Sequence, residues 1–167
     1  MGQRQNLEGG LTLIEVVVAV FIMTPILVMV VGVFFKNVKG VTESWEETRG
    51  VAAGQRLMEN VRRMRWDETT PFGGTAVTSG ATIGINSGEI GPLDFDDIDD
   101  WNGHTSPDPI SNSFNRSVRV EFVQVNLGTG EITAVAGPTN FKRVTVIVTG
   151  PGGKPIEIST LRTNSRN

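Results

Sequence analysis

Residues 8–35 read EGGLTLIEVVVAVFIMTPILVMVVGVFF, and the apolar run that begins at Leu11 decides the fold. From Leu11 to Phe35 only Thr12, Glu15, Thr24, Pro25 and Gly32 interrupt it. At about 1.5 Å per helical residue the run reaches roughly 37 Å, more than a hydrocarbon layer of about 30 Å requires. It predicts a membrane-spanning helix over residues 11–35. A secretory signal would carry a shorter apolar run, about 7–15 residues, and a small-x-small cleavage site. The sequence VGVFFKNVKG offers no such site. A plain anchor explains the length of the run and leaves Glu15 unexplained.

The rest of the 167-residue chain is ordinary in composition, with a net charge of -3, a single His and no Cys. That charge, with no basic stretch interleaved with aromatics, argues against nucleic acid as a primary partner. Without Cys there is no disulfide framework, thiolate nucleophile or thiolate metal site.

GGLTLIEVVVAVFI, residues 9–22, resembles the type IV prepilin motif: a short polar leader, a Gly before the cut, an apolar first mature residue and a Glu five residues into the mature chain. The resemblance makes Gly10 the last leader residue, Leu11 the new amino terminus and the site of N-methylation, and Glu15 the fifth residue. It implies cleavage on the cytoplasmic side by a prepilin peptidase that also methylates the new amine. The family's usual first residue is Phe, and Leu11 keeps its apolar character. Arg4 is the only basic side chain in the leader, while Lys36 and Lys39 follow the span. Basic residues alone lean weakly toward the opposite orientation, and the motif outweighs so small a difference.

If Leu11 marks the cytoplasmic edge of the bilayer, Glu15 lies only about 6 Å deeper. It then costs less than the roughly 2.5–3.5 kcal/mol of an acidic residue at a helix centre. In a fibre whose core is packed from such helices, the carboxylate would meet the amine of a neighbouring Leu11, replacing the lost hydration. Pro25 removes one backbone bond and Gly32 is a second weak point, so residues 25–32 are expected to kink or loosen.

Residues 37–68, NVKGVTESWEETRGVAAGQRLMENVRRMRWDE, continue as an amphipathic helix through about residue 66. Val51, Gly54, Leu57, Met58, Val61 and Met64 recur at three- and four-residue steps, and Glu59 pairs with Arg62 and Arg63 on the outer face. Gly40, Gly50 and Gly54 each weaken it by about 1 kcal/mol relative to Ala, so packing on a sheet must hold it. Arg62, Arg63 and Arg65 are expected in solvent or paired with an acidic loop. Residues 68–92 read as loop with at most short strands. In SVRVEFVQVNL, residues 117–127, the apolar phase shifts at Phe122, predicting a bulge. LGTGE turns toward a weak strand at residues 132–135, and FKRVTVIVT, GPGGK and PIEISTLRT read as a hairpin. The fold class is α+β: a long amino-terminal helix packed on a carboxyl-terminal antiparallel sheet of about four strands, the plan of a pilin head. The expected organisation is a leader at 1–10, a transmembrane and fibre-core helix at 11–35, its amphipathic continuation at 36–66 and a periplasmic β-rich head at 67–167.

LDFDDIDDWNG, residues 93–103, holds five carboxylates in seven residues: Asp94, Asp96, Asp97, Asp99 and Asp100. Two readings stand. One is calcium held by Asp97, Asp99, Asp100 and Asn102. The other is a solvated loop whose Asp side chains cap turns while Phe95, Ile98 and Trp101 face inward. An EF-hand is excluded, because with Gly103 at its sixth position Ile98 would be the first and Pro109 the twelfth.

An enzyme is not expected. His104, Ser106 and Asp108 are neighbours in a Pro-rich loop, and sequence adjacency does not build a triad. There is no P-loop, dinucleotide fingerprint or His-based zinc pattern, so no cofactor is expected beyond calcium. The acidic segment, residues 143–164 and the helix portion GQRLMENVRRMRWDE also resemble minor pilins of mannose-sensitive haemagglutinin-type pili. The resemblance implies a minor pilin whose partners are prepilin peptidase, other major and minor pilins, the inner-membrane assembly platform and the membrane itself. It implies storage in the inner membrane with the head in the periplasm, then entry into a pilus. A type II secretion pseudopilin is the rival within that class. A membrane-tethered, cation-dependent binding module is the rival outside it.

Overall fold

The computed structural model describes residues 12–67, 82–86 and 88–164. The expected leader with Gly10, the expected amino terminus Leu11, and residues 68–81, read from the sequence as loop, lie outside them. One helix, α1 (Leu13–Arg63), is followed by the 3₁₀ turn η1 (Asp99–Trp101). The strands β1 (Thr105–Pro107), β2 (Asn115–Val125), β3 (Ile132–Ala134), β4 (Phe141–Thr149) and β5 (Pro155–Thr163) come after it. The fold is α+β with an antiparallel sheet of five strands, one more than expected, the addition being the short β1. The strand order is β1-β2-β4-β5, with β3 also paired to β2. The chain divides by internal contacts between Ser44 and Trp45, within α1.

In the amino-terminal unit α1 is helical through Pro25 and Gly32, and every residue from Thr12 to Ser44 is exposed. The segment is long and apolar enough to cross a membrane. The Thr24 hydroxyl donates to the Val20 carbonyl at 2.7 Å, one position before the proline that lacks an N–H of its own.

In the carboxyl-terminal unit the second half of α1 lies on the sheet. Ala53, Leu57, Met58 and Val61 share a core with Val118 and Val120 of β2 and Val144, Val146 and Val148 of β4. Strand alternation puts these valines on one face, where Val118 opposes Val146 and Val120 opposes Val144. The other face carries polar cross-strand pairs, Glu121 with Arg143 at 2.8 Å and Thr145 with Ser159 at 3.0 Å. The β4–β5 hairpin closes through Gly153, whose φ of 72° lies where an L side chain is strained.

Two sequence expectations change. Gly50 and Gly54 are points of close approach, not merely weak places in the helix. A Cβ on Gly50 would lie 2.5 Å from Ile156 Cδ1, and one on Gly54 would lie 2.7 Å from Ile158 Cδ1 and 2.9 Å from Val148 Cγ2. The phase slip at Phe122 is real, since Phe122 and Val123 are both buried. It does not come from a bulge in the ladder with β4, which runs one-to-one from Asn115 to Phe122. There β2 changes partner, and Val123 to Val125 pair with β3.

At Gly54 the closest obstacles include a short, stiff Val side chain, so a methyl group cannot be accommodated by a flexible chain end alone. Gly54→Ala should lower head stability by about 1–3 kcal/mol despite its better helix propensity. Gly40→Ala, where a Cβ meets nothing within 4 Å, should not lower it. Urea denaturation followed by near-ultraviolet circular dichroism reads both.

Candidate functional site

Two regions gather the residues singled out by the sequence: the start of α1 and the acidic segment against the head. At the helix start, the Thr12 carbonyl accepts from the N–H groups of Glu15 (3.0 Å) and Val16 (3.2 Å). Glu15 Oε2 lies 3.5 Å from the Thr12 N–H in return. Thr12-Leu13-Ile14-Glu15 has the spacing of a capping box, and the carboxylate also sits at the positive end of the helix dipole. This gives Glu15 a local structural role that the sequence reading missed, although the T-x-x-E spacing was its signal. Around it Leu13, Ile14, Phe21 and Met23 are all exposed, so the acid is a lone charge on an uncovered apolar surface.

The acidic segment is not a solvated loop. Asp97, Asp99 and Asp100 are buried, and Phe95, Ile98 and Trp101 enter the core as read from the sequence. Turn capping is present. Asp97 Oδ1 accepts from the N–H of Asp99 at 2.7 Å, and Asp100 Oδ2 accepts from the N–H groups of Asp96 (3.0 Å) and Asp97 (3.1 Å). Asn102 Oδ1 accepts from the Val120 N–H at 3.0 Å, which fastens the segment to β2. Asp96 is paired with Arg65, two residues past the end of α1, at 2.6 Å, the second of the two expectations for that arginine.

The four residues considered for calcium are therefore dispersed among other tasks. Among the described residues, the carboxylates that converge within 4.8 Å are Glu89, Asp96 and Asp100, and Arg65 already supplies a positive charge to them. Asp99 instead meets Lys142, a fully buried side chain of β4, at 2.5 Å. Burial dominates Asp99 and, although Lys142 opposes it, pushes its carboxyl up to about 7.

A second buried ionic group lies at the opposite end of the sheet. Asp108, after β1, pairs with Arg56 of α1 at 2.8 Å and with Arg116 of β2 at 3.3 Å, and it accepts from the Ser111 N–H at 3.0 Å. Burial raises the Asp108 carboxyl, but Arg56, the Ser111 N–H and Arg116 together outweigh it and hold it below its ordinary value. Ser106 Oγ takes a bond from Arg116 at 3.3 Å, and the His104 ring packs edge-on against Phe95 and Trp101. Burial, with Arg116 adding to it, holds His104 below its usual value. Neither Arg116 nor Lys142 was singled out from the sequence, yet both lie in phase with the buried valines of their strands.

Compared with known proteins, the chain matches no family model, no curated protein and no solved structure.

The lowered Asp108 carboxyl fixes a pH dependence. Its contribution to stability is fully present above the unfolded value of about 3.8 and is lost as pH falls through the lower folded value. Asp108→Asn should cost about 3–5 kcal/mol at pH 7, because it leaves buried Arg116 uncompensated. The gap between wild type and variant should narrow steadily below pH 3.8. Denaturant titrations at pH 7, 4 and 3 measure that gap, and a constant gap would exclude this source.

Proposed function

We propose that the chain is a minor type IV pilin, held in the inner membrane, cut after Gly10 by prepilin peptidase and then drawn into a pilus or its initiating tip complex. The observation that carries this reading is Glu15: a single carboxylate, one helical turn from Thr12, on a helix segment whose described apolar side chains are all exposed. A membrane covers those side chains in the stored subunit, and neighbouring helices cover them in a fibre. An apolar surface satisfied equally by lipid and by copies of itself suits transfer from one to the other. The carboxylate supplies what an apolar surface lacks, a preferred position along the helix axis, by pairing with the amine of a neighbour's Leu11. The head contributes contacts with other minor subunits, and its Cys-free core is braced by buried ion pairs.

The capping-box geometry allows the charge and the hydrogen bond of Glu15 to be separated. Glu15→Gln keeps an acceptor for the Thr12 N–H and loses the charge. It should leave cleavage after Gly10 intact, giving Leu11 by amino-terminal sequencing, and should reduce incorporation into sheared filaments at least tenfold. Normal incorporation of Glu15→Gln, with loss only in Glu15→Ala, would reduce Glu15 to a helix cap. An uncleaved Met1 terminus in the wild-type protein would favour a simple tether.

A further inference from the structure

We propose that Lys142 and Asp99 become joined by an intramolecular isopeptide bond, formed by the folded protein itself between Lys142 Nζ and Asp99 Cγ. The geometry is that of a poised pair. Lys142 Nζ lies 2.5 Å from Asp99 Oδ1, with the two side chains 0% and 3% exposed. That is shorter than the roughly 2.7–2.9 Å of a charge-assisted N–H···O bond. The amine is oriented by the Trp66 carbonyl, which accepts one of its protons at 2.8 Å, and it lies over the rings of Trp66 (4.7 Å) and Phe122 (5.4 Å). Nucleophile and electrophile are thus fixed from opposite elements, Lys142 on the central strand β4 and Asp99 on η1, in a site that excludes water.

Amide formation between a free amine and a free acid is slow in water. Fixing the two groups in contact acts as an effective concentration of roughly 10⁵–10⁸ M. Burial removes the solvent that would hydrolyse the product and makes separated charges costly. Moving one proton from the ammonium to the carboxylate gives the neutral amine and neutral acid that the reaction needs. The elevated Asp99 carboxyl, near 7, favours the protonated acid, and the carboxylates of Asp97 and Asp67 push it the same way.

Lys142 Nζ then adds to Asp99 Cγ. A neighbouring carboxylate, Asp97 or Asp67, takes a proton from the nitrogen and returns it to the departing hydroxyl. One C–N bond forms, one C–O bond breaks and one water leaves, with no oxidant or other reactant. The product replaces two buried charges by a neutral amide. It also gives a chain without cysteine a covalent tie between its acidic segment and its sheet.

The test uses the full-length protein in detergent, held overnight at pH 7, unfolded, acylated on its free amines, digested and sequenced by tandem mass spectrometry. The expected result is a branched peptide containing Asp99 and Lys142, lighter by one water than its two parts, with Lys36, Lys39 and Lys154 acylated and Lys142 protected. Lys142→Met should abolish the branched peptide. Acylated Lys142 together with an unbranched Asp99 peptide in the wild type would overturn the proposal, whether or not the variant folds. A water loss that persists in Lys142→Met would also overturn it.

Discussion

The head depends on how closely the second half of α1 approaches β4 and β5. Gly50 and Gly54 present bare backbone to Ile156, Ile158 and Val148, and Ala53 between them is fully buried. That approach lets short valines fill the space beneath the helix, and it explains why a sheet face built of Val118, Val120, Val144, Val146 and Val148 suffices as a core. Larger helix residues would lift α1 and open voids over every one of these side chains. The helix propensity lost at the two glycines, about 1 kcal/mol each, is offset by the packing they permit.

The rows of inward-facing residues end in cations. On β2 the row runs Arg116, Val118, Val120, Phe122, and on β4 it runs Lys142, Val144, Val146, Val148, with Arg116 opposite Val148 and Lys142 beside Phe122. The two buried charges therefore sit at opposite ends of one apolar strip. Each is met by an aspartate from a connecting segment, Asp108 for Arg116 and Asp99 for Lys142. Such pairs gain little net stability over apolar replacements, but losing one member is costly. Their effect is to fix which segment closes which end of the strip. An acidic loop that slipped along the sheet would leave Lys142 or Arg116 buried without a counter-charge.

Much of the architecture was legible because periodicity reports burial directly. The apolar run from Leu11 and the β4 and β5 segments each named their element, and the three- and four-residue steps through Val61 also named the face that packs on the sheet. The turn-rich Gly150–Lys154 stretch marked the hairpin. What escaped was information held between elements. Gly50 and Gly54 look like defects until the strand beneath them is known. The slip at Phe122 has the same sequence signature whether a bulge or a change of partner causes it. Lys142 and Arg116 occupy the buried phase of their strands, so the alternation did place them inward. Composition alone suggests that charges belong outside, and only the tertiary position of Asp99 and Asp108 shows why these two do not.

The same reasoning explains how five aspartates can crowd into one short segment. Asp94 accepts from the Ile90 N–H, Asp96 faces Arg65, Asp97 and Asp100 accept from turn N–H groups, and Asp99 faces Lys142. The neutralising partners come from Arg65 just beyond α1, from β4 and from the backbone of the segment and of Ile90 before it. Repulsion between the carboxylates is thereby spread over separate contacts in different directions, and the aromatic residues between them are free to turn inward. Phe95 and Trp101 meet edge-to-face with ring centres 5.3 Å apart, so the alternation of acid and aromatic along the segment becomes an alternation of polar tether and apolar anchor. A charge density that would ordinarily keep a loop in solvent is what fastens this one to the sheet.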